Sequence, residues 1–198
     1  MQGALPMRRI LAALLAALLL AHEAMTAASP TNLAADTAAW RIVNDGVMGG
    51  DSTARVSRAG EALRFSGEIS LANNGGFASM RRPFDAAARG TDAAGFALQV
   101  RGDGNRYRLR VYTRDAATGS EQWFAYFAVF DTREGEVTAV QLRWTQFTAS
   151  FRGRAVPEAP QIRFADVIGV GVILTKDGHR DGRGPFALEL LRIEPLAR

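Results

Sequence analysis

The chain has 198 residues, a formal net charge of +4 and no cysteine. The length fits one ordinary domain once an N-terminal segment is set aside. The missing thiols exclude disulfides, thiolate metal sites and a cysteine nucleophile.

Residues 1–28 read as a secretory signal peptide. Arg8 and Arg9 form a positive start, residues 10–21 are Ile, Leu and Ala only, and Thr26-Ala27-Ala28 offers a cleavage site. An uncleaved anchor needs about 20 apolar residues, more than this run supplies. A mitochondrial presequence would be amphipathic, and this run is apolar all round. The expected location is therefore exported, periplasmic or secreted. No later run is long and apolar enough for a helical membrane span. Loss of Arg8, Arg9 and Glu23 leaves +3, carried almost wholly by arginine, with Lys176 the one lysine. That charge is small for a nucleic-acid binder, so no nucleic acid is expected.

Residues 29–39 are expected to be a loose lead-in and 40–195 a single β-sandwich domain. The first dense block is Trp40-Arg41-Ile42-Val43-Asn44-Asp45-Gly46-Val47-Met48-Gly49-Gly50-Asp51-Ser52. It predicts a strand ending near Asn44, then two glycine turns with Met48 plugging the core between them. A calcium reading through Asp45 and Asp51 is open, although the ligand spacing is irregular. No Gly-Lys-Ser/Thr ending supports a phosphate loop.

Period-two alternation then dominates. In 61–71, Leu63, Phe65, Ile69 and Leu71 share one side, with Arg64, Ser66, Glu68 and Ser70 opposite. Asn73-Asn74-Gly75-Gly76-Phe77-Ala78-Ser79-Met80-Arg81 reads as a glycine turn entering a strand. Phe96, Leu98 and Val100 alternate with polar or small residues. Gly102-Asp103-Gly104-Asn105 follows as a turn. Next, Tyr107, Leu109 and Val111 face away from Arg106, Arg108, Arg110 and Tyr112. Two alternating runs around such a tetrad predict a hairpin. Further strands are expected over 122–130, 137–143, 168–175 and 186–193, and short helical turns near 86–89 and 164–167. The pattern predicts an all-β, antiparallel β-sandwich of the jelly-roll type.

Five blocks taken in order carry a resemblance: Trp40 with Asn44-Asp45-Gly46-Val47-Met48-Gly49-Gly50; Asn74-Gly75-Gly76-Phe77-Ala78-Ser79; Arg101-Gly102-Asp103-Gly104 with Tyr107; Phe151-Arg152-Gly153; and Gly184-Pro185-Phe186 with Leu188-Glu189. Together the sequence resembles the complex I intermediate-associated protein 30 family from Trp40 to about Ile193. The resemblance implies a galactose-binding-domain-like jelly roll and a non-catalytic role in assembly. In this reading Asn44, Asp45, Met48, Gly49, Gly50, Asn74, Gly75, Gly76, Phe77, Gly102, Asp103, Gly153, Gly184, Pro185 and Phe186 shape loops.

Enzymatic constellations are sparse. After residue 28 the one histidine is His179, in a polar stretch that reads as an exposed loop. A Ser-His-Asp triad would have to use it, and a histidine metal cluster is excluded. Asp45, Asp103 and Glu189 are the carboxylates that a glycoside-acting enzyme could use. Glu189 lies between Leu188 and Leu190, where it either faces solvent or pairs with an arginine across the sheet. No enzyme, metal or cofactor is expected. Arg101, Arg106, Arg108, Arg110, Tyr112 and Arg152 are the candidate binding residues, since Arg and Tyr anchor interfaces. The expected ligand is a protein partner, such as a respiratory or envelope complex, held by a monomer. The alternative is a glycan, met by Trp123, Phe124, Tyr126 and Trp144; an exposed tryptophan beside Arg or Asp would favour it.

Overall fold

The computed structural model describes residues 32–86 and 92–198. The signal-peptide segment and most of the turn expected at 86–89 lie outside the described residues. Among the described residues twelve strands run in order: β1 (Arg41–Ile42), β2 (Thr53–Ala59), β3 (Ala62–Ile69), β4 (Phe77–Pro83), β5 (Gly95–Arg101), β6 (Arg106–Thr113), β7 (Ala125–Asp131), β8 (Val137–Arg143), β9 (Thr148–Phe151), β10 (Arg154–Ala155), β11 (Val167–Thr175) and β12 (Gly184–Leu196). They form a seven-stranded sheet, β1-β4-β11-β6-β7-β9-β10, and a five-stranded sheet, β2-β3-β12-β5-β8. The pairings within both sheets are antiparallel, giving the all-β jelly-roll sandwich.

The alternation seen in the sequence decides which side is inside. Leu63, Phe65 and Ile69 of β3 join Phe96, Leu98 and Val100 of β5 and Phe186, Leu188 and Leu190 of β12 in the core. Tyr107, Leu109 and Val111 of β6 and Val170, Val172 and Leu174 of β11 belong to the same core from the other sheet. Each large apolar side chain buried there stabilises the fold by about 1.5–3 kcal/mol. Phe65 and Phe186 meet edge-on, with centroids 4.9 Å apart.

Several expectations need correction. Residues 32–39 are not a loose lead-in. They form two short 3-10 turns, with Leu33 and Ala34 fully buried. The Asn32 side chain donates to Leu191 O at 2.9 Å and accepts from Ile193 N at 3.1 Å, so this segment is fastened along β12. Runs 96–101 and 106–113 are strands but not a hairpin. β5 pairs with β12 and β8, whereas β6 pairs with β11 and β7. The tetrad between them is therefore a crossing between sheets. Asp103 holds it there, accepting from Tyr107 OH at 2.8 Å in one sheet and from Ala187 N at 2.7 Å in the other. Met48 does not plug the core but is 56% exposed, as is Leu71 at 43%. His179 is buried: its Nδ1 accepts from Asp181 N, which leaves Nε2 to donate to Pro185 O at 3.1 Å.

The first two glycine blocks meet on one buried carboxylate. Asp45 is fully buried, and it accepts from Ser52 N at 3.0 Å, Ser52 Oγ at 2.5 Å, Gly76 N at 2.7 Å and Phe77 N at 3.2 Å. Burial by itself would raise its pKa, but these donors together hold it below the ordinary carboxylate range. A Cβ at Gly50 would lie 2.5 Å from Asp45 Cγ, and one at Gly75 would lie 2.7 Å from its Oδ2. Both glycines are there because the carboxylate sits where a side chain would. Asp45 thus spends its oxygens on protein donors, and Asp51 is exposed and accepts from Asn73 Nδ2. Among the described residues the two belong to no cluster of three acidic or histidine side chains that could hold the calcium ion considered for them.

Candidate functional site on the outer face of the seven-stranded sheet

β6 turns Tyr107, Leu109 and Val111 inward, so Arg106, Arg108, Arg110 and Tyr112 must face outward. β11 lies beside β6, with Gly169 opposite Tyr112 and Gly171 opposite Arg110. On the far side of β11, Gly171 also pairs with Arg81 of β4. Two arginines therefore flank a position with no side chain. Their guanidinium groups close over that gap and meet on one ring. Arg81 Cζ stands 3.9 Å from the Tyr112 centroid and Arg110 Cζ stands 4.7 Å from it. Arg110 also lies 5.1 Å from the Phe127 ring of β7. Such contacts contribute about 0.5–2 kcal/mol each, more where water is excluded.

The two arginines differ in their partners. Arg81 donates to both oxygens of Glu121, at 3.3 and 2.9 Å. Burial lowers its affinity for the proton, but the Glu121 hydrogen bond and charge more than offset this, and its pKa is raised. For Arg110, burial pushes the pKa down and the like charge of Arg81 adds to that, against a smaller opposing pull from Tyr112 and Glu121. Arginine nevertheless stays charged. Among the described residues the buried Nε of Arg110 has no hydrogen-bond partner. Tyr112, covered by both arginines, is buried, and that burial raises its pKa.

The structure divides the six residues expected to bind. Arg106, Arg108, Arg110 and Tyr112 share this face, and Arg106 is paired with Asp131 at 2.6 Å. Arg101 is on the five-stranded sheet instead, 3.5 Å from Glu189. Glu189 takes the paired alternative considered for it, with Arg64 on its other side at 3.0 Å. Arg152 forms the β9–β10 turn with Gly153, both at positive φ, as a two-residue hairpin of the primed type requires. Its guanidinium lies 5.3 Å over the Phe151 ring.

Arg81, Glu121, Phe127 and the glycine floor were not among the expected binding residues. Their alternation was visible in part, but the register that places Arg81 across Gly171 from Arg110 was not. Of the four aromatics weighed for a glycan, Phe124 and Tyr126 are buried. Trp144 is partly covered, packed against Phe96, Phe147 and Phe164. Trp123 is 60% exposed and stands edge-on to Phe151 at 5.4 Å.

Residues 28–190 match the model of the complex I intermediate-associated protein 30 family. The chain belongs to this family. No curated protein matches the sequence significantly. Among solved structures, this member of the complex I intermediate-associated protein 30 family is similar to the family 11 carbohydrate-binding module of the cellulosomal cellulase Lic26A-Cel5E of Clostridium thermocellum. The TM-score is 0.61 at 9% identity, over 87% of this chain and 97% of that one. A second structure, of the family 11 module from Clostridium thermocellum in complex with a β-1,3-1,4-mixed-linked tetrasaccharide, has a TM-score of 0.56 at 8% identity, over 80% and 89% of the two chains. At such identities these likenesses establish the β-sandwich fold and nothing about the ligand.

Proposed function

We propose that this protein is an exported, non-catalytic binding module that holds a protein partner against the outer face of β4, β11 and β6 and assists assembly of a respiratory or envelope complex. The observation that carries this reading is the pair of arginines stacked on Tyr112 above Gly169 and Gly171. It is a cationic surface: Tyr112, expected to bind, is buried beneath the two guanidinium groups and supports them, and arginine is one of the side chains from which interface anchors are drawn. Membership of a family of complex I intermediate-associated proteins supports a role in assembly. The three carboxylates that could serve glycoside chemistry are all committed to other contacts: Asp45 and Asp103 to loop hydrogen bonds, Glu189 to two arginines.

The test is in-cell crosslinking and recovery of the tagged protein from its own organism, beside an Arg108→Ala/Arg110→Ala version. One discrete partner, identified by mass spectrometry and lost in the double variant, is expected. Equal recovery with both proteins would remove the face from consideration. A second reading, glycan binding, is favoured by exposed Trp123, edge-on to a Phe151 ring that in turn carries Arg152. Titration with a mixed-linked tetrasaccharide checks it: a saturable change in tryptophan emission that Trp123→Ala abolishes would move the assignment to glycan.

A further inference from the structure

The charges on the outer face of the seven-stranded sheet do not balance. Arg81, Arg106, Arg108 and Arg110 lie there, joined by Arg41, which pairs in register with Arg81. Among the described residues, the carboxylates paired with these arginines are Glu121 and Asp131, taken up by Arg81 and Arg106 respectively. Arg108 lies between Ile173 of β11 and Val129 of β7, and neither side chain can accept a hydrogen bond. Arg110 is held by rings on two sides, and among the described residues no carboxylate pairs with it.

A guanidinium group that has given up part of its hydration without gaining an acceptor is costly. Bringing a carboxylate to it recovers more than the same contact would in open water, because the surrounding rings lower the local dielectric. The shape suits such an approach, since Gly169 and Gly171 have no side chains to hold the Tyr112 ring and the two guanidinium groups away from the strand, and these lie over it as one low cationic surface. Spacing adds a second constraint. Arg108 and Arg110 are alternate residues of one strand, so their Cα atoms are about 7 Å apart. Alternate side chains of an extended peptide have the same repeat.

We infer that this face is a carboxylate-binding niche, and that the partner presents an extended acidic segment whose alternate carboxylates seat on Arg108 and Arg110. The inference rests on the binding-module reading and specifies the chemistry of its partner.

A fluorescein-labelled peptide of alternating Glu and Ser is the probe, with a Gln-Ser peptide as control, read by fluorescence anisotropy at low salt on the full chain. Saturable binding of the acidic peptide alone is expected. Arg108→Gln and Arg110→Gln should each weaken it about tenfold, and added salt should weaken it further. Arg55→Gln, on the five-stranded sheet, should leave it unchanged. If Arg110→Gln lowers the melting temperature, Arg108→Gln, which has no ring contact, decides the matter. Equal affinity for the wild-type and Arg108→Gln proteins would overturn the niche. Binding of polygalacturonate without binding of the peptide would overturn the peptide assignment in favour of an acidic glycan. A partner still recovered from cells by Arg108→Ala/Arg110→Ala would sink the niche while leaving the binding module standing. Recovery of no partner by the wild type would sink the module reading itself.

Discussion

Replacing Asp45 with asparagine tests whether one carboxylate organises the first two glycine blocks. The change is isosteric, so packing is kept and the hydrogen-bond chemistry alone is altered. Oδ2 accepts from Ser52 Oγ, Gly76 N and Phe77 N, and Oδ1 accepts from Ser52 N. An asparagine oxygen can take the Oδ2 place. Its NH2 group then faces the Ser52 N–H, donor against donor, and the three remaining bonds lose their charge. Bonds to a charged group are worth about 1.5–3 kcal/mol, and a buried donor left unpaired costs about 1–3 kcal/mol. Asp45→Asn should therefore destabilise by about 3 kcal/mol, which for a domain of this size lowers Tm by roughly 6–12 °C.

The same carboxylate predicts a pH dependence. Its folded-state pKa lies below the ordinary value of 3.8, so the unfolded chain takes up the proton first. The contribution is complete above that ordinary value and is lost as pH falls through the folded-state value. Asparagine has no such proton to take up. Urea unfolding followed by tryptophan emission at a series of pH values should show a gap between the two proteins that is constant near neutrality and narrows in acid. A Tm unchanged by Asp45→Asn, or a gap that does not narrow in acid, would refute the reasoning.

Three further outcomes are expected. Gly50→Ala places a methyl group 2.5 Å from Asp45 Cγ and should cost about 1–3 kcal/mol in urea unfolding, whereas Gly46→Ala meets nothing within 4 Å and should stay close to wild type. Tyr107→Phe removes the phenol that donates to Asp103 at 2.8 Å, and about 1–2 kcal/mol should be lost from the urea midpoint; an unchanged midpoint would show that the intersheet crossing does not depend on that bond. Acrylamide should quench a red-shifted component of the emission from 60%-exposed Trp123, and Trp123→Phe should remove that component while leaving the emission of buried Trp40.

The strands were legible where one face is wet and the other dry. In 106–113 the alternation names both the core residues and the arginine face, because a period of two assigns every side chain to a side. Misreadings came where a distant group overrides the local pattern. The tetrad at 102–105 reads as a hairpin turn from its own residues, yet Ala187 N, 84 positions along the chain, pulls Asp103 into a crossing between sheets. Leu71 continues the apolar parity of β3, but the strand ends at Ile69 and parity has no meaning beyond it. Met48 is apolar in sequence and exposed in fact, because Asp45 fixes the turn around it and leaves its side chain outside. His179 sits in a stretch that reads as polar loop, yet its ring is buried and tied to the start of β12 through Pro185 O.

What the sequence by itself determined is therefore the class of the fold, the inward and outward sides of its longer strands and the family, all of which follow from local periodicity and from residue order. Only the tertiary structure decided register and pairing. A sequence of strands does not state which of them lie side by side, and it is the placement of Gly171 between Arg81 and Arg110 that turns two separated arginines into one surface.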